Sequence, residues 1–283
     1  MANAIFNQES PIQKHKWNGI EFYLKREDLL APVGGNKVRR FHPIFNSGTK
    51  PKKVIALSDP GSHTFMVAAN YLEDHQQAVF FERNIPLTAY AKENRKRYLT
   101  YPNITVIRQP FWKLWFLWLW HKHLLSSKDL CALGVGGQTN DEFPSAEALR
   151  ECERQLKQLH INGTVQHLFP IASGQMLDGF LWHQQFSEWN PNFHGVMTGP
   201  LVSQIMLKRK YKKRKTVHLW QKRKKTDVMI QQAKSFYNST GVWLDPLHTI
   251  YLLNVLSEIS KHPTNKPIIF WVTSPYQGKN MLV

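Results

Sequence analysis

The sequence predicts an α/β protein built on open, doubly wound, mostly parallel sheets, and three observations lead to that class. Short apolar runs of strand length recur at 53–58 (KVIALS), 77–82 (QAVFFE) and 104–108 (ITVIR). Helical stretches separate them, MVAANYL after Thr64 and a basic segment at 86–98. Strands alternating with helices in this way form parallel sheets. The third observation is size: 283 residues, 42% of them hydrophobic, are ample for a buried core and suit one to two domains.

Taken in order, the first informative stretch is 24–41, LKREDLLAPVGGNKVRRF. The preceding EFYLK alternates like a strand, and the charged turn after it leads into Gly34-Gly35-Asn36-Lys37. Two glycines let backbone approach a ligand without Cβ obstruction. Asn36 suits a helix N-cap, which would set Lys37 in the first turn of a helix, where anions are also attracted. An amine nucleophile needs such a placement. After the strand at 53–58 comes Gly61-Ser62-His63-Thr64, a turn opening a helix.

Residues 111–125, FWKLWFLWLWHKHLL, are apolar almost all round. They fit a helix buried by the fold or by a partner subunit, with an interfacial membrane anchor flanked by Lys113 and Lys122 as the other reading. GVGGQTN at 134–140 is a glycine turn, and 145–160 is a patterned helix with Ala146, Leu149, Cys152, Leu156 and Leu159 on one face. VQHLFPIASGQMLDGFL at 165–181 reads as strand, small-residue loop and helix. A strand and turn follow at 193–202, then a helix at 228–237 and a final strand at 267–273 (PIIFWVT).

KRED followed by GGNKVRR resembles the 1-aminocyclopropane-1-carboxylate deaminase and D-cysteine desulfhydrase family, pyridoxal-phosphate enzymes of the tryptophan synthase β-like fold, type II. The resemblance runs along nearly the whole chain in consistent order. It implies a large domain of 1–45 plus 145–283, a small inserted domain of 46–144, a cleft for pyridoxal 5'-phosphate between them, and a homodimer. On Lys37 it places the Schiff base with the cofactor. Asn36 and Ser62 fall among the cofactor contacts, and the Gly61, Ser62, His63 turn takes the position of the family's Ser-Asn-His loop for the substrate carboxylate, with only the histidine in register. Ala172-Ser173-Gly174-Gln175-Met176 stands where relatives carry the Gly-Thr-Gly-Gly-Thr phosphate cup, so Ser173, Gly174 and Gln175 would face the phosphate. His248 replaces an active-site tyrosine in LDPLHTIYLL and is a candidate acid or base beside Lys37 and His63. Thr273 would meet the pyridine nitrogen. The implied activity is a lyase or deaminase acting on a small amino acid, by β-elimination of the D-cysteine desulfhydrase kind.

Charge adds a separate line of inference. Lys and Arg number 37 against 20 Asp and Glu, a net charge of +17 that favours polyanions. The excess gathers at 208–225, KRKYKKRKTVHLWQKRKK, with Lys208 and Lys225 at its ends. Tyr211 and Trp220 among those cations suit single-stranded nucleic acid, while a solvated loop or lipid headgroups fit equally. Two further classes therefore stay open: a cofactor-binding but catalytically altered descendant, and a basic protein reusing the fold at nucleic acid or membrane. Two cysteines are too few for a disulfide framework. The sequence has no run of 18 apolar residues and no signal-like N-terminus, so the expectation is a cytoplasmic protein.

Overall fold

The computed structural model describes residues 7–46, 50–124, 129–139, 141–261 and 266–276. Two sheets organise them. The chain opens with an antiparallel hairpin of β1 (Ile12–Trp17) and β2 (Ile20–Lys25), in register from Trp17 opposite Ile20 to Ile12 opposite Lys25. Its two-residue turn is Asn18-Gly19, both at positive φ (47° and 79°), the pairing that tight hairpins favour. A 3₁₀ turn (Glu27–Leu29) and the Gly34-Gly35 loop lead to α1 (Asn36–Phe45).

The smaller sheet follows: β3 (Lys53–Ser58), α2 (His63–Tyr71), β4 (Gln77–Arg83), α3 (Ala89–Tyr98), β5 (Ile104–Gln109), α4 (Phe111–Leu124) and β6 (Leu130–Leu133). Its strands lie in the order β5-β4-β3-β6, all parallel. The basic helix expected from residue 86 begins only at Ala89, where the Thr88 hydroxyl accepts the Ala91 N–H at 3.1 Å as an N-cap. The remaining elements are α5 (Phe143–Gln158), β7 (Gln166–Ile171), α6 (Gln175–Gln184), β8 (Asn192–Met197), α7 (Leu201–Tyr211), β9 (Val217–Gln221), α8 (Asp227–Thr240), α9 (Leu252–Ser260) and β10 (Ile268–Trp271). They complete a six-stranded sheet, β1-β2-β10-β7-β8-β9, parallel except for the β1 edge. The architecture is the mixed α/β, mostly parallel two-sheet arrangement expected.

Helix α1 does not pack on the six-stranded sheet that precedes and follows it. Val38, Phe41 and Phe45, one face at helical spacing, enter the core of the four-stranded sheet with Val54, Phe65 and Phe80. Each such side chain contributes roughly 1.5–3 kcal/mol of burial, which fixes the rotation of α1. Lys37 and Arg40 lie on its flank, toward α6, whose first residue bonds Arg40.

Two expectations change. Helix α4 buries Leu114 and Trp118, whose indole N–H donates to the Leu133 carbonyl at 3.2 Å, but Trp112 and Phe116 are 69% and 62% exposed. The chain covers one stripe of this helix and not the rest. The cationic run also lacks its supposed stacking surface. Tyr211 is buried with its hydroxyl donating to Asp178 Oδ1 at 2.7 Å, and the half-buried Trp220 donates to His194 Nδ1 at 3.3 Å. Leu125, Asn140 and the side chains of His121 and Lys122 lie outside the described residues. Among the described residues no helix is long and apolar enough to cross a membrane.

Candidate functional site

The C-terminal ends of β2, β7, β8 and β10 carry the loops that build the site, as open α/β sheets place their ligands. The charged KRED turn is its foundation. Lys25 is fully buried and held by Gln155 Oε1 at 2.8 Å and by Glu151. Glu27, equally buried, pairs with Arg39 at 2.9 Å, and Arg39 in turn reaches Glu151 at 2.8 Å. The Arg39 guanidinium holds the Glu27 carboxyl below its ordinary range against the opposing pull of burial. This buried network clamps the loop above it. The Glu27 carbonyl accepts the Gly35 N–H at 2.7 Å, and the Thr273 carbonyl accepts the Asn36 N–H at 3.1 Å.

The glycine pair is dictated by space. A Cβ on Gly34 would stand 2.2 Å from the Asp28 carbonyl oxygen, and one on Gly35 2.4 Å from His63 Cε1 and 2.9 Å from the Thr273 oxygen. Both have positive φ, 76° and 87°. Gly35, not Asn36, is the N-cap of α1; Asn36 is its first residue, and its amide approaches Met176 Sδ at 3.6 Å.

Lys37 is half-buried and makes no hydrogen bond or ion pair among the described residues. Burial lowers its pKa to about 7, assisted by the Arg40 charge and opposed by Asp245. At neutral pH a large share of this amine is therefore free base. Two neighbours within its electrostatic reach, His63 and Arg40, carry buried polar atoms without partners, namely both ring nitrogens of His63 and Arg40 Nε; Ser62 Oγ and Thr64 Oγ1 beside His63 are likewise unpartnered. Burial takes His63 down to about 3, with the Lys37 charge adding, while the backbone of Val33 and Gly34 works the other way without reaching hydrogen-bond geometry. Its imidazole is neutral at any working pH. His248 is also depressed, chiefly by burial, and its Nδ1 meets Thr198 Oγ1 at 2.9 Å.

Ser62, His63 and Thr64 open α2, so their unpartnered groups sit at the positive end of a helix. Gly61 is engaged elsewhere. Its N–H donates to Tyr98 Oη at 3.0 Å, its carbonyl accepts Asn94 Nδ2 at 3.1 Å, and a Cβ there would stand 2.2 Å from the Ala91 oxygen. The glycine at this position serves the packing of α3, and the unpartnered groups of the turn are those of Ser62 and His63.

The second anion-seeking element is the start of α6. Gly174 is left-handed at φ 89°, and half-buried Ser173 precedes it. Gln175 does not point away: its Nε2 donates to the carbonyls of Thr139 (2.9 Å) and Asp141 (3.0 Å), while its Oε1 accepts Arg40 Nη1 at 3.1 Å. Arg40, buried and lowered to about 10 by that burial, lacks a carboxylate at salt-bridge distance among the described residues. A buried guanidinium with an unpartnered Nε beside a helix N-terminus suits a phosphate. Sequence reading passed over Arg40, though its position three residues after Lys37 puts it on the same helix flank. Thr198 and Thr139 carried no signal of their own.

These residues fit pyridoxal phosphate: a depressed, accessible lysine, unpartnered donors around it, and a buried cation at a helix N-terminus.

No protein-family model matches the sequence, and no curated protein matches it. Solved structures do resemble the fold. An ACC deaminase homologue superposes with a TM-score of 0.74 at 18% identity, covering 94% of this chain and 89% of its own. A threonine deaminase from T.th. gives 0.69 at 13% identity, with 95% and 93% covered. A mutant O-ureido-L-serine synthase bound to O-ureido-L-serine gives 0.65 at 13% identity, with 96% and 91% covered. The fold is the tryptophan synthase β-like one.

Proposed function

We propose that the protein is a pyridoxal-phosphate-dependent lyase or deaminase acting on a small amino acid, with β-elimination of the D-cysteine desulfhydrase kind as its reaction. The observation that carries this reading is Lys37: an amine lowered to about 7, with the unpartnered atoms of His63 and Arg40 within its electrostatic reach, on a fold shared with two deaminases and a synthase. When bound, the cofactor supplies an electron sink for charge left at the substrate Cα.

The chain's own residues divide the remaining work. Lys37 Nζ would carry the cofactor and, once free, move the proton at Cα, because a pKa near neutrality lets it both accept and return a proton. Ser62 Oγ and the N–H groups opening α2 would hold the substrate carboxylate, with neutral His63 as hydrogen-bonding neighbour. Arg40, Ser173 and the α6 N-terminus would hold the phosphate. His248, anchored by Thr198, stands as the second acid or base. Thr273 would bring a neutral hydroxyl to the position where a carboxylate would make the ring more electron-withdrawing. That favours expulsion of a ready β-leaving group over opening of a cyclopropane, which has no ordinary leaving group.

The test has two parts. Borohydride reduction after incubation with pyridoxal phosphate should fix the cofactor to the peptide carrying Lys37, and Lys37→Ala should abolish that label. Keto-acid release is then compared for D-cysteine, β-chloro-D-alanine and 1-aminocyclopropane-1-carboxylate. No label on wild type sinks the cofactor reading, turnover of the cyclopropane alone sinks β-elimination, and label without turnover selects the catalytically altered descendant.

A further inference from the structure

Helix α7 presents an outward face of unusual composition. Leu201, Val202 and Met206 are 68%, 69% and 66% exposed, and Ile205 is exposed beside them. Lys208 and Arg209 continue the same face at helical spacing, Lys212 and Lys213 follow exposed in the turn that ends the helix, and no Asp or Glu occurs from 208 to 225. Of that run's cations, Lys210 pairs with Asp178 at 2.6 Å and Arg223 lies 3.9 Å from Glu258; the others have no ion pair among the described residues. The inner face is fastened: Leu207 and Tyr211 are buried, and Tyr211 bonds Asp178 of α6. The outer face is thus held rigidly toward solvent.

We propose that this face docks the protein onto an anionic lipid bilayer. Aliphatic side chains and cations lie about seven residues apart, on the order of 10 Å along the helix. A helix tilted into the interface would set the aliphatic end at the acyl boundary, which buried faces enter by about 5–10 Å, and the cationic end among the headgroups. The aliphatic turn would enter the bilayer while the cations meet lipid phosphates and carboxylates. Two other occupants fit less well. Single-stranded nucleic acid binds by stacking on exposed aromatic rings, and the two rings within the run, Tyr211 and Trp220, are turned into the fold. A second copy of the chain, meeting face to face, would set like charges against each other.

The test is co-sedimentation with vesicles of phosphatidylcholine, with and without one third phosphatidylserine. Wild type should bind the anionic vesicles and release them as salt rises. Replacing Lys208, Arg209, Lys212 and Lys213 together by Gln should weaken partition on the order of a thousandfold. Replacing Leu201, Val202 and Met206 together by Ser should weaken it with the salt dependence retained. All seven side chains are exposed, so both variants should keep the wild-type circular dichroism. Equal binding to neutral vesicles, or wild-type binding by both variants, would overturn the proposal. So would loss of binding on Trp112→Ser with Phe116→Ser alone, or single-stranded oligonucleotide outcompeting the vesicles with the serine variant unaffected.

Discussion

Gly35 and His63 approach so closely that a Cβ on the glycine would stand 2.4 Å from His63 Cε1. The contact joins the loop before Lys37 to the first residue of α2, and thus the loop between the sheets to the four-stranded sheet. A glycine here is a condition of assembling the site, because the backbone at φ 87° and the imidazole both exclude a side chain.

Gly35→Ala should therefore destabilise the protein by more than about 1 kcal/mol, the backbone cost alone reaching that level at positive φ. Adding His63→Ala should recover part of the loss, giving a coupling of about 0.5–3 kcal/mol in a double-mutant cycle measured by denaturant unfolding. Strict additivity would show that the two residues do not meet.

Much of the arrangement was legible in the residues. The strand and helix alternation pointed to parallel sheets, with β9 (Val217–Gln221) hidden inside the cationic run, and GGNK placed Lys37 in the first turn of α1. The Asn18-Gly19 hairpin went unread, although that dipeptide between alternating runs signals a two-residue turn. What stayed hidden depends on tertiary partners. Asn36 has the chemistry of a cap, yet its N–H is taken by Thr273, 237 positions away, so the cap moves to Gly35. Gln175 stood among the residues expected to face a phosphate, and its side chain instead ties α6 to Thr139 and Arg40. The aromatic helix α4 gave no periodicity to separate its buried stripe from its exposed one, because both are apolar.

Lys37 should leave a mark on stability. Its pKa is lowered on folding from 10.5 to about 7, so between these values the unfolded chain holds more protons than the folded one. Stability contributed at this position is lost as pH falls from about 10 to about 7. Lys37→Met should thus raise the thermal midpoint at pH 7 by a few degrees, and the advantage should shrink toward pH 10. A midpoint difference independent of pH would mean that the amine is not desolvated.

Acid should unfold the protein early. His63 and His167 are lowered to about 3 and His194 to about 4, in each case first by burial, so the folded form excludes protons that the unfolded chain binds below about 6.5. The stability is present above pH 6.5 and falls as pH drops toward 4, by up to about 4 kcal/mol per pH unit if all three contribute. Denaturant midpoints measured from pH 7 to pH 5 should show the steepening. His194→Gln, which leaves an acceptor for Trp220, should reduce the slope by about one proton. An unchanged slope would place the acid sensitivity elsewhere.

Arg40 supplies the sharpest separation between phosphate binding and chemistry. Its guanidinium is buried, bonded to Gln175 at the α6 N-terminus, and carries an unpartnered Nε. If that Nε meets the cofactor phosphate, the charge-assisted contact is worth about 1.5–3 kcal/mol, or roughly 10-fold to 100-fold in affinity. Arg40→Met should lower borohydride-trapped label from pyridoxal phosphate by that factor and leave label from pyridoxal, which lacks the phosphate, nearly unchanged. Arg40→Lys should recover part of the affinity, since a lysine restores the charge without the planar fork. Equal loss with both aldehydes would instead assign Arg40 to the setting of the Lys37 pKa. In that case the pH at which label is half-maximal should rise in Arg40→Met, because the cation that helps hold the amine near 7 has been removed.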